Sequence, residues 1–142
     1  PFQVSGESMY PTFKNKEFIL TSLIGLRITP PRRGDIIVFQ SPNNHERDFI
    51  KRIIGMPGNT LSIENGVLKL NGNPLVEPYI REPMNAYQDQ TWALGPDEYF
   101  VMGDNRNFSK DSRDSSIGPI TLSRIVGQVM MVYWPVSAWK IV

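Results

Sequence analysis

Proline and glycine interrupt this chain so often that long helices have little room to form. Twelve prolines and eleven glycines are spread over 142 residues. Each proline removes a backbone donor, and each glycine weakens a regular element it enters. The apolar stretches between these breakers are short: residues 17–23, 35–40, 49–54, 99–102 and 125–134. Such runs read as strands. Between residues 60 and 72, Leu61, Ile63, Leu68 and Leu70 alternate around Asn65-Gly66, the dipeptide that a type I′ hairpin turn favours. Residues 73–97 are rich in proline and polar groups and read as irregular. The expected fold class is therefore mostly β.

The length suits one domain with a real core. A net charge of +1, with 20% charged residues, gives no electrostatic case for a nucleic-acid partner. The absence of cysteine rules out disulfides and thiolate metal sites, and suits an oxidising extracytoplasmic compartment. No His/Cys/Asp/Glu cluster has metal-ligand spacing, and no glycine-rich phosphate loop is present. No apolar run approaches the roughly 20 residues that span a bilayer. The chain opens on Pro1-Phe2-Gln3-Val4, without an initiator Met.

Chemistry concentrates in two segments. Ser8 stands in Ser5-Gly6-Glu7-Ser8-Met9-Tyr10-Pro11-Thr12, where Gly6 and Pro11 favour a turn. Lys51 stands about forty residues on, flanked by Phe49, Ile50, Ile53 and Ile54. Burial disfavours an ammonium, so a lysine in an apolar strand can be neutral and accept a proton near physiological pH. A serine hydroxyl becomes a good nucleophile when an adjacent base removes its proton. Ser8 and Lys51 can fill both roles without histidine. His45, the one histidine, lies in the polar run 41–48, which reads as a loop. For a lysine taken alone, a solvated surface position is the commoner outcome.

A third segment changes that balance. Gly103-Asp104-Asn105-Arg106-Asn107-Phe108-Ser109-Lys110-Asp111-Ser112-Arg113, taken with residues 5–12, 33–39 and 49–58, resembles the type I signal peptidases, Ser/Lys proteases of bacteria and organelles. The four stretches occur in that family's order and span most of the chain. The resemblance implies a catalytic β-core of residues 1–61 and 98–142, with residues 62–97 as a small inserted cap. It implies removal of signal peptides from exported preproteins after Ala-X-Ala-like sites, through an acyl-enzyme and with no cofactor. It also implies a membrane anchor ahead of the serine segment, and a catalytic domain on the periplasmic or thylakoid-lumen side.

Carried over residue by residue, the resemblance makes Ser8 the nucleophile, Lys51 the general base and Ser109 the hydroxyl that orients the lysine. Beside Ser5 and Phe49, which are expected to bind substrate, Phe2, Val4, Met9 and Ile50 match positions lining two small substrate pockets. Core packing is the alternative reading for each of them. The edges around Gln3-Val4-Ser5 and Asp48-Phe49-Ile50 are expected to pair with an extended substrate. Asp104, Arg106, Asp111 and Arg113 are expected to brace the loop holding Ser109, with Arg52 as the partner of Asp104. The chain departs from the family at Gly6, where some members carry a serine that helps bind the oxyanion. Here the Ser8 N–H remains, and the second donor is left to Ser5 or the region of Gly6. Asn59 and Asn107 replace residues that are commonly acidic.

Two other function classes compete. A self-cleaving repressor-type Ser/Lys protease would lack the block at residues 103–106. A peptide-binding β-module would have no use for Ser8, Lys51 and Ser109 together. Trp134 and Trp139 follow the last motif, and either face a lipid surface beside the site or pack into the core.

Overall fold

The computed structural model describes residues 2–23, 30–42, 47–85 and 88–142; His45 lies outside these residues. Its strands fall into two sheets. The larger contains β1 (Phe2–Gln3), β2 (Phe18–Leu23), β3 (Ile36–Gln40), β4 (Asp48–Gly55), β9 (Glu98–Met102), β10 (Ile120–Thr121), β11 (Ile125–Trp134) and β12 (Lys140–Ile141). Their order is β1-β2-β11-β3-β4-β9-β10, with β12 paired to β11. The smaller contains β5 (Thr60–Glu64), β6 (Val67–Leu70), β7 (Asn73–Pro74) and β8 (Gln90–Ala93), in the order β7-β6-β5-β8. All the pairings are antiparallel.

Side-chain alternation explains the layers. On β3, Ile36 and Val38 enter a cluster with Val4, Met9, Phe13, Ile19, Val129 and Val132. Ile37 and Phe39 point the other way, into a cluster with Ile53, Tyr99, Val101, Ile117, Ile120 and Ile125. Both faces of β3 are thus buried, as its unbroken apolar run requires. The third cluster joins the sheets, with Ile54, Phe100 and Met102 packed against Leu61, Ile63, Leu68 and Leu94.

The expected hairpin is present. Leu61 opposes Leu70 and Ile63 opposes Leu68, while Asn65 and Gly66 take φ values of 51° and 77°, as a type I′ turn demands. The irregular reading of residues 73–97 needs correction, because β7 and β8 lie within it. Gln90–Ala93 is too short and polar to announce itself; it is a strand because β5 offers a free ladder beside it. Among the described residues no helix is long and apolar enough to cross a membrane.

Phe100 is fully buried, and its ring lies 4.6 Å from that of Trp92 on β8. Phe100→Ala is expected to destabilise the protein by about 3–5 kcal/mol, read as a lower denaturant midpoint. Because Phe100 of the larger sheet packs directly against the smaller one, the whole structure should still unfold in one transition.

Candidate active site

The Ser8 segment is a succession of turns between β1 and β2. Tyr10 N–H donates to Glu7 O (3.0 Å) and Phe13 N–H to Met9 O (3.0 Å). Met9 and Phe13 anchor it in the first apolar cluster, which leaves Ser8 half-buried at the surface. Gly6 has φ +91°, a conformation that glycine adopts without penalty.

Lys51 comes from β4. It alternates with Ile50 and Arg52 and so shares a strand face with Phe49 and Ile53. Its side chain is buried, with 3% exposure for the residue. Lys51 Nζ lies 2.8 Å from Ser8 Oγ in a hydrogen bond and 5.5 Å from the centre of the Phe49 ring. Burial lowers the lysine's pKa from 10.5 to about 8; Asp111 opposes that shift, while the charges of Arg47 and Arg113 add to it. The amine is therefore substantially neutral just above physiological pH, with the serine hydroxyl in reach.

A cleft of about 300 Å³ opens over the pair. It is lined by Phe2, Gln3, Val4, Ser5, Ser8, Met9, Val38, Arg47, Asp48, Phe49, Ile50 and Lys51. The structure thus brings Phe2, Val4, Ser5, Met9, Phe49 and Ile50 together around Ser8 and Lys51. Val38 and Arg47 are additions. Val38 is the cross-strand partner of Ile50, and no feature of its own sequence distinguishes it from a core valine. Arg47 sits 5.1 Å from the Phe49 ring centre.

Strand edges border this cleft. β9 pairs with β4 only from Arg52 onward, so, among the described residues, positions 48–51 have β3 on one side and no strand on the other. Among the described residues, β1 is the outermost strand of its sheet and pairs only with β2.

The Gly103–Arg113 segment packs against Ser8. A Cβ on Gly103 would lie 2.2 Å from Ser109 Oγ and 2.5 Å from Ser8 O, so only glycine allows this approach. Asn105 N–H donates to Ser8 O (2.9 Å), and its side-chain amide donates to Glu7 O (3.0 Å). The Ser109 hydroxyl donates to Asp111 Oδ2 at 2.8 Å; the hydrogen bond found for it is with that carboxylate, not with Lys51. Asp111 also accepts from Gly103 N–H (2.9 Å) and pairs with Arg113 through Nε (2.8 Å) and Nη2 (2.9 Å).

Arg52 grips Asp104 with two hydrogen bonds, Nε to Oδ1 at 2.9 Å and Nη2 to Oδ2 at 2.8 Å. Arg106 does not pair with a carboxylate of its own segment. It forks onto Glu77, Nη1 to Oε1 at 2.6 Å and Nη2 to Oε2 at 2.5 Å, and its Nε donates to Gly103 O (2.9 Å). Glu77 is a residue that sequence reasoning missed, because it lies in a proline-rich stretch with no periodicity. Asn107 also reaches toward that stretch, accepting from Asn85 N–H (2.8 Å) and donating to Pro83 O (3.2 Å). An aspartate there could not make the second bond. Asn59 accepts from Met56 N–H (2.9 Å) and closes the turn after β4. The Gly6 N–H donates to Asn15 Oδ1 (2.9 Å) and is not free for an oxyanion. The Ser8 N–H makes no hydrogen bond among the described residues.

A serine hydroxyl held against a buried amine, at the floor of a cleft with open strand edges, is an arrangement suited to a hydrolase of the serine class. Comparison with known proteins gives the family. The model of the signal peptidase family, peptidase S26, matches residues 1–134, and the chain belongs to that family. It is 39% identical over 142 residues to a signal peptidase I of Leptolyngbya laminosa, covering 94% of this chain and 68% of the relative. It is 37% identical over 150 residues to signal peptidase I S of Bacillus subtilis strain 168, covering 99% and 79%. A crystal structure of a signal peptidase I from Enterococcus faecalis V583 is similar, with TM-score 0.60 and 34% identity, over 72% of this chain and 98% of the other.

If Lys51 acts as a base, kcat/KM should rise with pH through a limb near 8, where the amine loses its proton, and level off above it. Arg47→Ala removes a charge that lowers the lysine's pKa, so the limb should move to higher pH. A pH–rate series on a peptide substrate checks both.

Proposed function

We propose that the chain cleaves signal peptides from exported preproteins as a Ser8–Lys51 endopeptidase. The observation that carries this reading is the buried Lys51 amine in a 2.8 Å hydrogen bond with Ser8 Oγ. Ser8 Oγ attacks the scissile carbonyl carbon while Lys51 Nζ takes its proton. The oxyanion is met by the unengaged Ser8 N–H, and the Ser5 hydroxyl, at the rim of the same cleft, is the candidate second donor. Lys51 then passes its proton to the departing amine, leaving an ester on Ser8. A water deprotonated by Lys51 hydrolyses the ester, releases the carboxylate end of the signal peptide and restores the pair.

The cleft's modest volume, with Val4, Met9, Val38 and Ile50 among polar residues in its lining, favours small side chains, as Ala-X-Ala-like sites require. Substrate lies extended between the edges at residues 2–3 and 48–51, making main-chain hydrogen bonds to both. Ser109 acts on the lysine through Asp111, by holding the carboxylate whose charge opposes the effect of burial. Residues 62–97 form a cap inserted in the catalytic core of residues 1–61 and 98–142.

The catalytic face works at a membrane on the extracytoplasmic side. Trp134 is 54% exposed and Trp139 63%, and Leu20, Val136 and Ile141 nearby are exposed too. Phe18 and Trp134 are cross-strand partners, as are Leu20 and Met131, and Met131 and Ile141. These residues therefore lie along neighbouring positions of one sheet end. Indoles prefer the interfacial depth of a bilayer, and an exposed apolar patch in water invites association.

Ser8→Ala should lower cleavage of a signal-peptide reporter by at least about 10³-fold with the unfolding temperature preserved. Lys51→Arg should be equally inactive, since a guanidinium keeps its proton at any working pH. Equal cleavage by either variant and the parent defeats the assignment. Adding anionic vesicles should blue-shift tryptophan emission and shield it from an aqueous quencher. Unchanged emission and quencher access would remove the lipid-facing reading.

A further inference from the structure

We infer that Glu77 and Tyr79 are positioning residues for the Ser8–Lys51 pair, so that the segment after β7 is part of the catalytic apparatus. This rests on the Ser/Lys reading and names residues on which that site depends.

Two arms run from these side chains to the pair. In the first, Glu77 receives both nitrogens of the Arg106 fork, and the Arg106 Nε holds Gly103 O at 2.9 Å. Gly103 touches the backbone of Ser8 so closely that a Cβ would collide with its carbonyl oxygen. Asn105, in the same turn, hydrogen bonds to Ser8 O and Glu7 O. In the second arm, the Tyr79 ring lies under the Arg52 guanidinium, 3.9 Å from its centre. Arg52 clasps Asp104, and Asp104 Oδ2 accepts the Thr12 hydroxyl at 2.5 Å. Arg52 adjoins Lys51 in β4, and Thr12 ends the nucleophile segment. The arms meet at one atom, Glu77 Oε2, which also accepts the Tyr79 hydroxyl at 2.5 Å. Burial and this hydrogen bond raise the tyrosine's pKa, so its hydroxyl remains a donor.

A purely stabilising role fits these groups poorly. The Glu77 and Arg106 side chains are 5% and 2% exposed. A buried ion pair offers little net stability over apolar residues of the same shape, because both charges have been desolvated. Such a pair does fix geometry, since the fork admits one arrangement. The gain lies where small displacements matter, and an error near 1 Å between reacting groups can cost about 100-fold in rate.

The test measures kcat and KM on a signal-peptide substrate, and in parallel the hydrolysis of an activated ester, which needs the Ser8–Lys51 pair but no signal-peptide pocket. The variants are Glu77→Gln, Tyr79→Phe and the double variant Glu77→Gln/Arg106→Met. Rates are taken per active site, counted by titration with a serine-acylating reagent, and thermal unfolding is followed alongside. Glu77→Gln should lower kcat by about 10–100-fold on both substrates, with KM within about twofold. Tyr79→Phe keeps the ring under Arg52 and removes only the hydroxyl; it should lower kcat less, with little change in unfolding temperature. The double variant leaves no unpaired buried charge, so it should recover unfolding temperature without recovering kcat. Rates per site equal to the parent's in the folded variants overturn the inference, as does recovery of kcat together with stability. Should Glu77→Gln fail to fold, the rates of Tyr79→Phe and the double variant decide between the same two outcomes. A parent that hydrolyses the ester but spares the signal peptide would remove the substrate assignment and leave this inference standing on the ester rates.

Discussion

The organisation of this protein follows from taking one amine out of water. Lys51 sits in the middle of an apolar strand, and burial, which would be an error elsewhere, is what lowers its pKa to about 8. A charged lysine would be costly there, and a neutral one still needs a hydrogen-bond partner. Ser8 Oγ supplies it. The same contact thus satisfies a buried polar group and sets a hydroxyl against an amine able to take its proton.

Holding that contact takes an unusual concentration of buried charge. Asp104, Arg106, Asp111 and Arg113 are each 5% exposed or less, and among the described residues no buried side-chain nitrogen or oxygen lacks a partner. Arg52 and Asp104 pin β4 to the turn at 103–106, Asp111 and Arg113 close the loop behind Ser109, and Glu77 ties Arg106 to the segment that follows β7. The apolar clusters lie behind this layer and fix the sheets. The polar layer fixes the relation between three stretches that are far apart in sequence.

Much of this was legible in the residues. Periodicity located β2, β3, β4, β9 and β11 to within a residue or so, because each alternates or runs apolar between clear breakers. Asn65-Gly66 named its own turn. The pairing of Arg52 with Asp104, and the cleft residues around Ser8, followed from motif context. Three things were not legible. β8 owes its conformation to a neighbouring strand rather than to its own composition. The Ser109 hydroxyl has several possible acceptors, and only the fold shows that Asp111 takes it. Glu77 meets Arg106 across 29 residues of chain, and a Glu-Pro-Tyr tripeptide looks the same whether its carboxylate is solvated or clamped.

The short open edges at β1 and β4 have a consequence for recognition. An unpaired edge presents donors and acceptors that only another extended backbone can meet. A helical segment has already used its main-chain groups internally, and a folded domain has few to offer. A cleft bounded in this way reads conformation before it reads side chains. An extended substrate docked there would be told apart from the packed body that follows it, even where the two share the same small residues.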